Sequence, residues 1–129
     1  MKEQTILAVK VSPDKEAELT HLKNDLDSLQ KVVSEGAPCQ GLIECVHLDH
    51  GVDILCNDEG KLQHLKPCRR LEFDIIVGTF YVVGANKETG EFVSLTKEQA
   101  DKYLAMFKEP ENISQDEVNR SVAFSFVPF

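Results

Sequence analysis

The residues able to do chemistry lie mostly in the middle of the chain. Cysteines stand at 39, 45, 56 and 68. Leu42–Leu48 and Val52–Asn57 read as two strands joined at Asp49-His50-Gly51. If His50-Gly51 is a two-residue turn, Asp49 faces Val52, His47 faces Ile54 and Cys45 faces Cys56. Cys45, His47 and Cys56 then share one hairpin face, a donor set that suits zinc. Zinc sites usually carry Cys-x-x-Cys knuckles, which this sequence lacks, and strand cysteines mostly pack as small hydrophobes. No metal and no other cofactor is expected. Counting outward from the turn, Cys45–Cys56 would be a hydrogen-bonded pair, whose spacing suits a disulfide poorly.

Cys68 is the best candidate nucleophile. Lys66, Arg69 and Arg70 would lower its pKa, and His64 stands four residues before it. Arg69 and Arg70 are also the best ligand candidates, since a loop arginine can clamp a phosphate or carboxylate. Asn57 and Glu59, in the turn cluster Asn57-Asp58-Glu59-Gly60, complete that set. The alternative is that these arginines are ion-paired to Asp58, Glu59 or Asp74 and simply tie loops together. No residue is assigned a catalytic role.

The elements that must position these residues follow from hydrophobic pattern. Thr5–Val11 reads as a first strand. Leu19, Leu22, Leu26, Leu29 and Val33 fit one helix over residues 13–35, or a short strand followed by a helix capped by Asn24. Gly36 would end either helix. Lys61–Leu65 reads as one helical turn. Phe73–Val83 is the strongest strand, apolar on both faces and therefore central and covered on both sides. Gly78 within it signals a bulge or a close backbone approach. Glu91–Leu95 returns beside it. Thr96 and Gln99 form a capping box for a second helix carrying Ala100, Tyr103, Leu104 and Phe107. Val122–Phe126 alternates as a last strand. The fold expected is one α+β domain, with a mixed, mostly antiparallel sheet and two main helices packed on it. Residues 1–110 form the core and 111–129 a link and Phe-rich strand.

Composition narrows the function classes. The 129 residues carry 14 Lys+Arg and 22 Asp+Glu, a net charge of −8, with 42% hydrophobic residues. That acidity opposes binding to nucleic-acid phosphates and favours basic protein partners. No apolar run approaches the roughly 20 residues of a membrane span. The start, Met1-Lys2-Glu3-Gln4-Thr5, is unlike an export signal, so a cytoplasmic location with reduced thiols is expected. No phosphate loop, dinucleotide fingerprint, nucleophile elbow or His-Glu-x-x-His zinc motif occurs. Phe124, Phe126 and Phe129 are costly to leave in water, at roughly 1.5–3 kcal/mol each. They cover the chain's own sheet or helix, or they enter a partner.

The series Gly41-Leu42-Ile43-Glu44-Cys45-Val46, Cys56-Asn57-Asp58-Glu59-Gly60-Lys61-Leu62, Arg69 before Leu71, Asp74-Ile75-Ile76-Val77-Gly78-Thr79-Phe80 and Ser94-Leu95-Thr96-Lys97-Glu98-Gln99 resembles a family of small proteins of unknown function. That family is common in phages, plasmids and mobile elements of Gram-positive bacteria. The likeness runs from Ile6 to Phe107. Members usually carry Asn before the Arg matching Arg69, where this chain has Cys68. The resemblance favours strand-then-helix over residues 16–34 and implies an accessory role in a mobile element, without supplying a reaction. Three functions follow as expectations. The first is a non-catalytic acidic protein that binds a host protein, or a second copy through its C-terminal strand. The second is a nucleotide-type ligand binder using Arg69 or Arg70. The third is an enzyme using Cys68 or a metal.

Overall fold

The computed structural model describes residues 4–34, 42–58, 65–71 and 75–119. The strands are β1 (Thr5–Val11), β2 (Glu18–Lys23), β3 (Ile43–Asp49), β4 (Val52–Asn57), β5 (Pro67–Arg70), β6 (Ile75–Val77), β7 (Phe80–Ala85) and β8 (Phe92–Val93). The helices are α1 (Leu26–Val33) and α2 (Lys97–Met106). A single helical turn covers residues 115–119. The fold is α+β, and every pairing among the described strands is antiparallel.

Six strands form one sheet in the order β2-β1-β7-β4-β3, and β8 pairs with the end of β7. Tyr81, Val82 and Val83 in β7 are all buried. Alternation sends Phe80 and Val82 to one face, Tyr81 and Val83 to the other. The first face packs with Val9, Val11, Ile54, the α2 residues Ala100 and Tyr103 and the α2 C-cap Phe107. The second packs with Ile6, Ala8, Leu55 and the α1 residues Leu29 and Val33. A strand between two other strands and two helical layers must be apolar throughout, which is why this segment stands out in the sequence.

The expected eleven-residue strand Phe73–Val83 is, however, two strands in two sheets. Gly78 has φ of +74°, and β6 before it pairs only with β5 in a separate two-stranded ribbon. Extended backbone cannot pass through that region of φ, so the chain turns there. A Cβ at Gly78 would also sit 2.8 Å from Cδ1 of Leu65. Ile75 and Val77 consequently join a small third cluster with Leu65, Ile113 and Val118. Phe73 lies outside the described residues.

Other elements are adjusted more locally. Strand-then-helix holds for residues 18–33, but Asp25 rather than Asn24 caps α1, accepting from the Ser28 N–H at 2.8 Å. Asn24 is buried instead, and its Nδ2 donates to the Phe92 carbonyl at 3.0 Å. The return strand shortens to Phe92–Val93. The Thr96/Gln99 capping box forms with both reciprocal bonds, 3.1 and 2.9 Å. Residues 61–64 of the expected helical turn Lys61–Leu65, the Gly36 stop, Cys39 and the strand 122–126 lie outside the described residues, and Leu65 is not helical.

Candidate functional site

The hairpin β3–β4 carries a bulge. Asp49 pairs with Val52, but His47 then pairs with Asp53, Cys45 with Leu55 and Glu44 with Cys56. One extra residue, Leu48, shifts the register by one and reverses the faces beyond it. The expected Cys45–Cys56 and His47–Ile54 pairings are thereby corrected. Cys56 is buried against the α2 side, while Cys45 is exposed on the opposite face. The physical cause is legible in the contacts. Leu48 packs on the α2-side core, and Asp49 also faces α2, where it accepts from Tyr103 Oη at 3.1 Å and Lys102 Nζ at 2.9 Å. Two consecutive residues can face one way only across a bulge. The zinc face therefore does not assemble, and among the described residues no three His, Cys, Asp or Glu side chains group as metal ligands.

Cys68 is fully buried in β5, and its thiol lies 3.6 Å from the Val11 carbonyl. Burial pushes its pKa up to about 12, outweighing the lowering by Arg69, and Glu111 and Asp14 raise it further. The sequence expectation of an activated thiol is thus reversed, because adjacency to cations counts for less than loss of water. His64 lies outside the described residues. Cys45 is held above its ordinary value too, first by partial burial and then by Asp53 and Glu44.

Arg69 and Arg70 point to opposite sides of β5. Arg69 is 0% exposed. Its Nε donates to the Phe107 carbonyl at 3.2 Å. Nη1 donates to the carbonyls of Cys68 at 2.8 Å and Ser12 at 3.4 Å, and Nη2 to those of Lys15 at 2.7 Å and Phe107 at 2.9 Å. A guanidinium has five N–H groups, and all five are used. Arg70 faces outward. Its Nε and Nη2 grip both oxygens of Glu117 at 2.6 and 2.8 Å, and Nη1 meets Glu111 at 3.1 Å. These carboxylates hold its pKa above the ordinary arginine value, Glu117 most. The loop-tie alternative thus has different partners from those expected. Glu111 and Glu117 take the place of Asp58, while Glu59 and Asp74 lie outside the described residues. Asn57 is buried at the end of β4. Phe124, Phe126 and Phe129 also fall outside the described residues.

Two accessible features among the described residues bear on binding. One is the outer edge of β3, which no described strand pairs. Asp58 N–H donates to the Leu42 carbonyl at 3.0 Å. By the alternation of an antiparallel ladder, the backbone groups of Glu44 and Val46 also point at β4, whereas those of Ile43, Cys45 and His47 point outward. Leu42 at its start is 61% exposed. The second is a cleft of about 270 Å³ lined by Ser12, Pro13, Lys15, Leu65, Lys66, Gly78 and Thr79. It lies where the β1–β2 loop, the entry to β5 and the β6–β7 break meet. Sequence reasoning missed this cleft, because its residues come from three distant segments with no common motif.

The description "domain of unknown function (DUF3846)" matches residues 5–108, most of the chain. The chain belongs to the DUF3846 family. The match covers α1, α2, both sheets and all of the cleft, and it stops before Glu111, Glu117 and the helical turn at 115–119. In this chain, then, Arg70 is tied to a segment beyond the family domain. No curated protein and no solved structure matches the chain. No helix among the described residues is long and apolar enough to cross a membrane.

Proposed function

We propose that this DUF3846 protein is a non-catalytic interaction protein, an accessory factor of a phage or mobile element, that docks a host protein in the cytoplasm. Docking is by strand addition at β3. The observation that carries the reading is the outer edge of β3, with the outward-pointing amides of Ile43, Cys45 and His47 ready to pair an extended segment. Exposed edge strands are normally blunted, because they invite pairing with other chains. Here the edge is only partly guarded, by a bulge at one end. Acidic Glu44 is exposed on β3, Asp49 at its end beside Lys102, and Asp58 just past β4. With the net charge of −8, they favour a basic extended partner and disfavour nucleic acid. The buried, raised Cys68 thiol and the fully engaged Arg69 support binding over catalysis.

The test removes one outward amide. Cys45→Pro deletes an N–H that points away from β4, so the hairpin's own ladder is untouched. Binding to the host partner isolated with the parent chain is expected to be lost, while far-ultraviolet circular dichroism is unchanged. Glu44→Lys is expected to slow association and weaken its salt dependence. Full binding by a folded Cys45→Pro chain would contradict strand addition.

A further inference from the structure

We propose that the cleft between the β1–β2 loop, Leu65-Lys66 and Gly78-Thr79 binds the phosphate end of a small phosphorylated ligand. This site is separate from the β3 edge and does not depend on the docking reading. Its charge is the first argument. Lys15 and Lys66 line it, and Arg69 stands behind its wall, bonded to the Ser12 and Lys15 carbonyls. No carboxylate among the described residues pairs with Arg69; its N–H groups meet carbonyl dipoles and the Cys68 thiol. A buried cation without a counter-ion projects its field through the poorly screening interior to the nearest opening. Against these three cations the β1–β2 loop supplies two carboxylates, Asp14, which is paired to Lys66, and Glu16; neither lines the cleft. The cleft is a cationic spot on an acidic protein.

Hydrogen bonding in the cleft points the same way. Thr79 is only 6% exposed, yet lines the cleft. Its hydroxyl meets Ser12 Oγ across a long 3.5 Å. Whichever of the two donates, the other O–H is left as a donor with no acceptor among the described residues. Two ammonium groups and a hydroxyl relay are the donors that a phosphate's acceptor-only oxygens need. The wall is also rigid. Arg69 fixes the loop at two carbonyls, and Asp14 holds a left-handed φ of 63° between them. Strained backbone of this kind gathers at ligand clamps.

Size and lining suit a small anionic group. The cleft, of about 270 Å³, lies at the small end of ligand pockets. It holds a phosphate or diphosphate group and leaves an attached sugar or base outside. A long polyanion is disfavoured, since the net charge of −8 repels its remaining phosphates.

Titration calorimetry with inorganic pyrophosphate tests the proposal. One saturable site per chain is expected. Lys15→Ala and Lys66→Ala should each weaken it about tenfold or more, and Ser12→Ala several-fold. Lys102→Ala, in the middle of α2 and paired with Asp49 on the β3–β4 hairpin, should leave it unchanged. A nucleoside monophosphate should bind within a few-fold of inorganic phosphate, because the base stays outside. Absence of saturable pyrophosphate binding overturns the site. So does equal binding by a Lys15→Ala/Lys66→Ala chain whose circular dichroism matches the parent's. Tighter binding of a single-stranded oligonucleotide than of pyrophosphate would overturn the ligand class.

Discussion

Arg69 donates twice to the main-chain carbonyl of Phe107, through Nε at 3.2 Å and Nη2 at 2.9 Å. Phe107 is the C-cap of α2, where helix carbonyls lack intrahelical partners and the helix dipole is negative. The cation therefore closes the end of α2 while its other N–H groups hold the β1–β2 loop. Removing it strands four carbonyls at once, those of Phe107 and Cys68 in buried bonds and those of Ser12 and Lys15 in partly buried ones. Arg69→Met is expected to lower unfolding free energy by about 3–5 kcal/mol. Arg69→Lys, which keeps the charge but not the planar fork, should lose about 1–3 kcal/mol. Urea unfolding checks both; stabilities within error of the parent would show that the clamp is not structural.

Gly78 separates the two sheets, and its side-chain space is already taken by Leu65. Gly78→Ala is expected to cost about 1–3 kcal/mol from backbone strain alone, with more from the clash. Leu65→Ala removes the clash and not the strain. In a double-mutant cycle the combined loss should be smaller than the sum of the two single losses. Strict additivity would mean that Leu65 does not fill that space.

The buried Cys68 thiol sets an alkaline limit. Its folded pKa, about 12, lies above the ordinary 9.0, so folding favours the protonated form. Stability from this group is full below pH 9 and is lost as pH rises from 9 towards 12. Cys68→Ala should flatten that part of the pH–stability curve. In the native protein at pH 8, a maleimide should label Cys45, which is exposed, and spare Cys68. Rapid labelling of Cys68 would restore the activated-thiol reading.

Asp49 sets a matching acid limit. The Lys102 ammonium, the His50 N–H and the Tyr103 hydroxyl hold its carboxyl down at about 2, from an ordinary 3.8. Its contribution is present above pH 4 and fades as pH falls from 4 towards 2. Asp49→Asn should remove that acid dependence. Because the pair is half-exposed, the effect should shrink in high salt. An unchanged acid limb in Asp49→Asn would show that this carboxylate does not tie α2 to the hairpin.

Much of the fold was legible because burial writes itself into pattern. β7 reads as central since every residue from Phe80 to Val83 is apolar, and α2 announces itself through Thr96 and Gln99. Three things stayed hidden for physical reasons. The break at Gly78 depends on a backbone angle that glycine permits but does not demand. The bulge at Leu48 depends on a distant Tyr103 that draws Asp49 to its side. The pKa of Cys68 depends on a burial that its basic neighbours mask. For the candidate site, Arg69 stood out by residue type, whereas the cleft it supports is assembled only by folding.

Backbone amide exchange across β3 in the isolated chain tests the docking reading most directly. The amides of Glu44 and Val46, bonded to β4, should exchange slowly, while those of Ile43, Cys45 and His47 should exchange fast and become protected when the partner is added. Uniform slow exchange from residue 43 to 47 in the isolated chain would contradict the account, because the edge would already be covered.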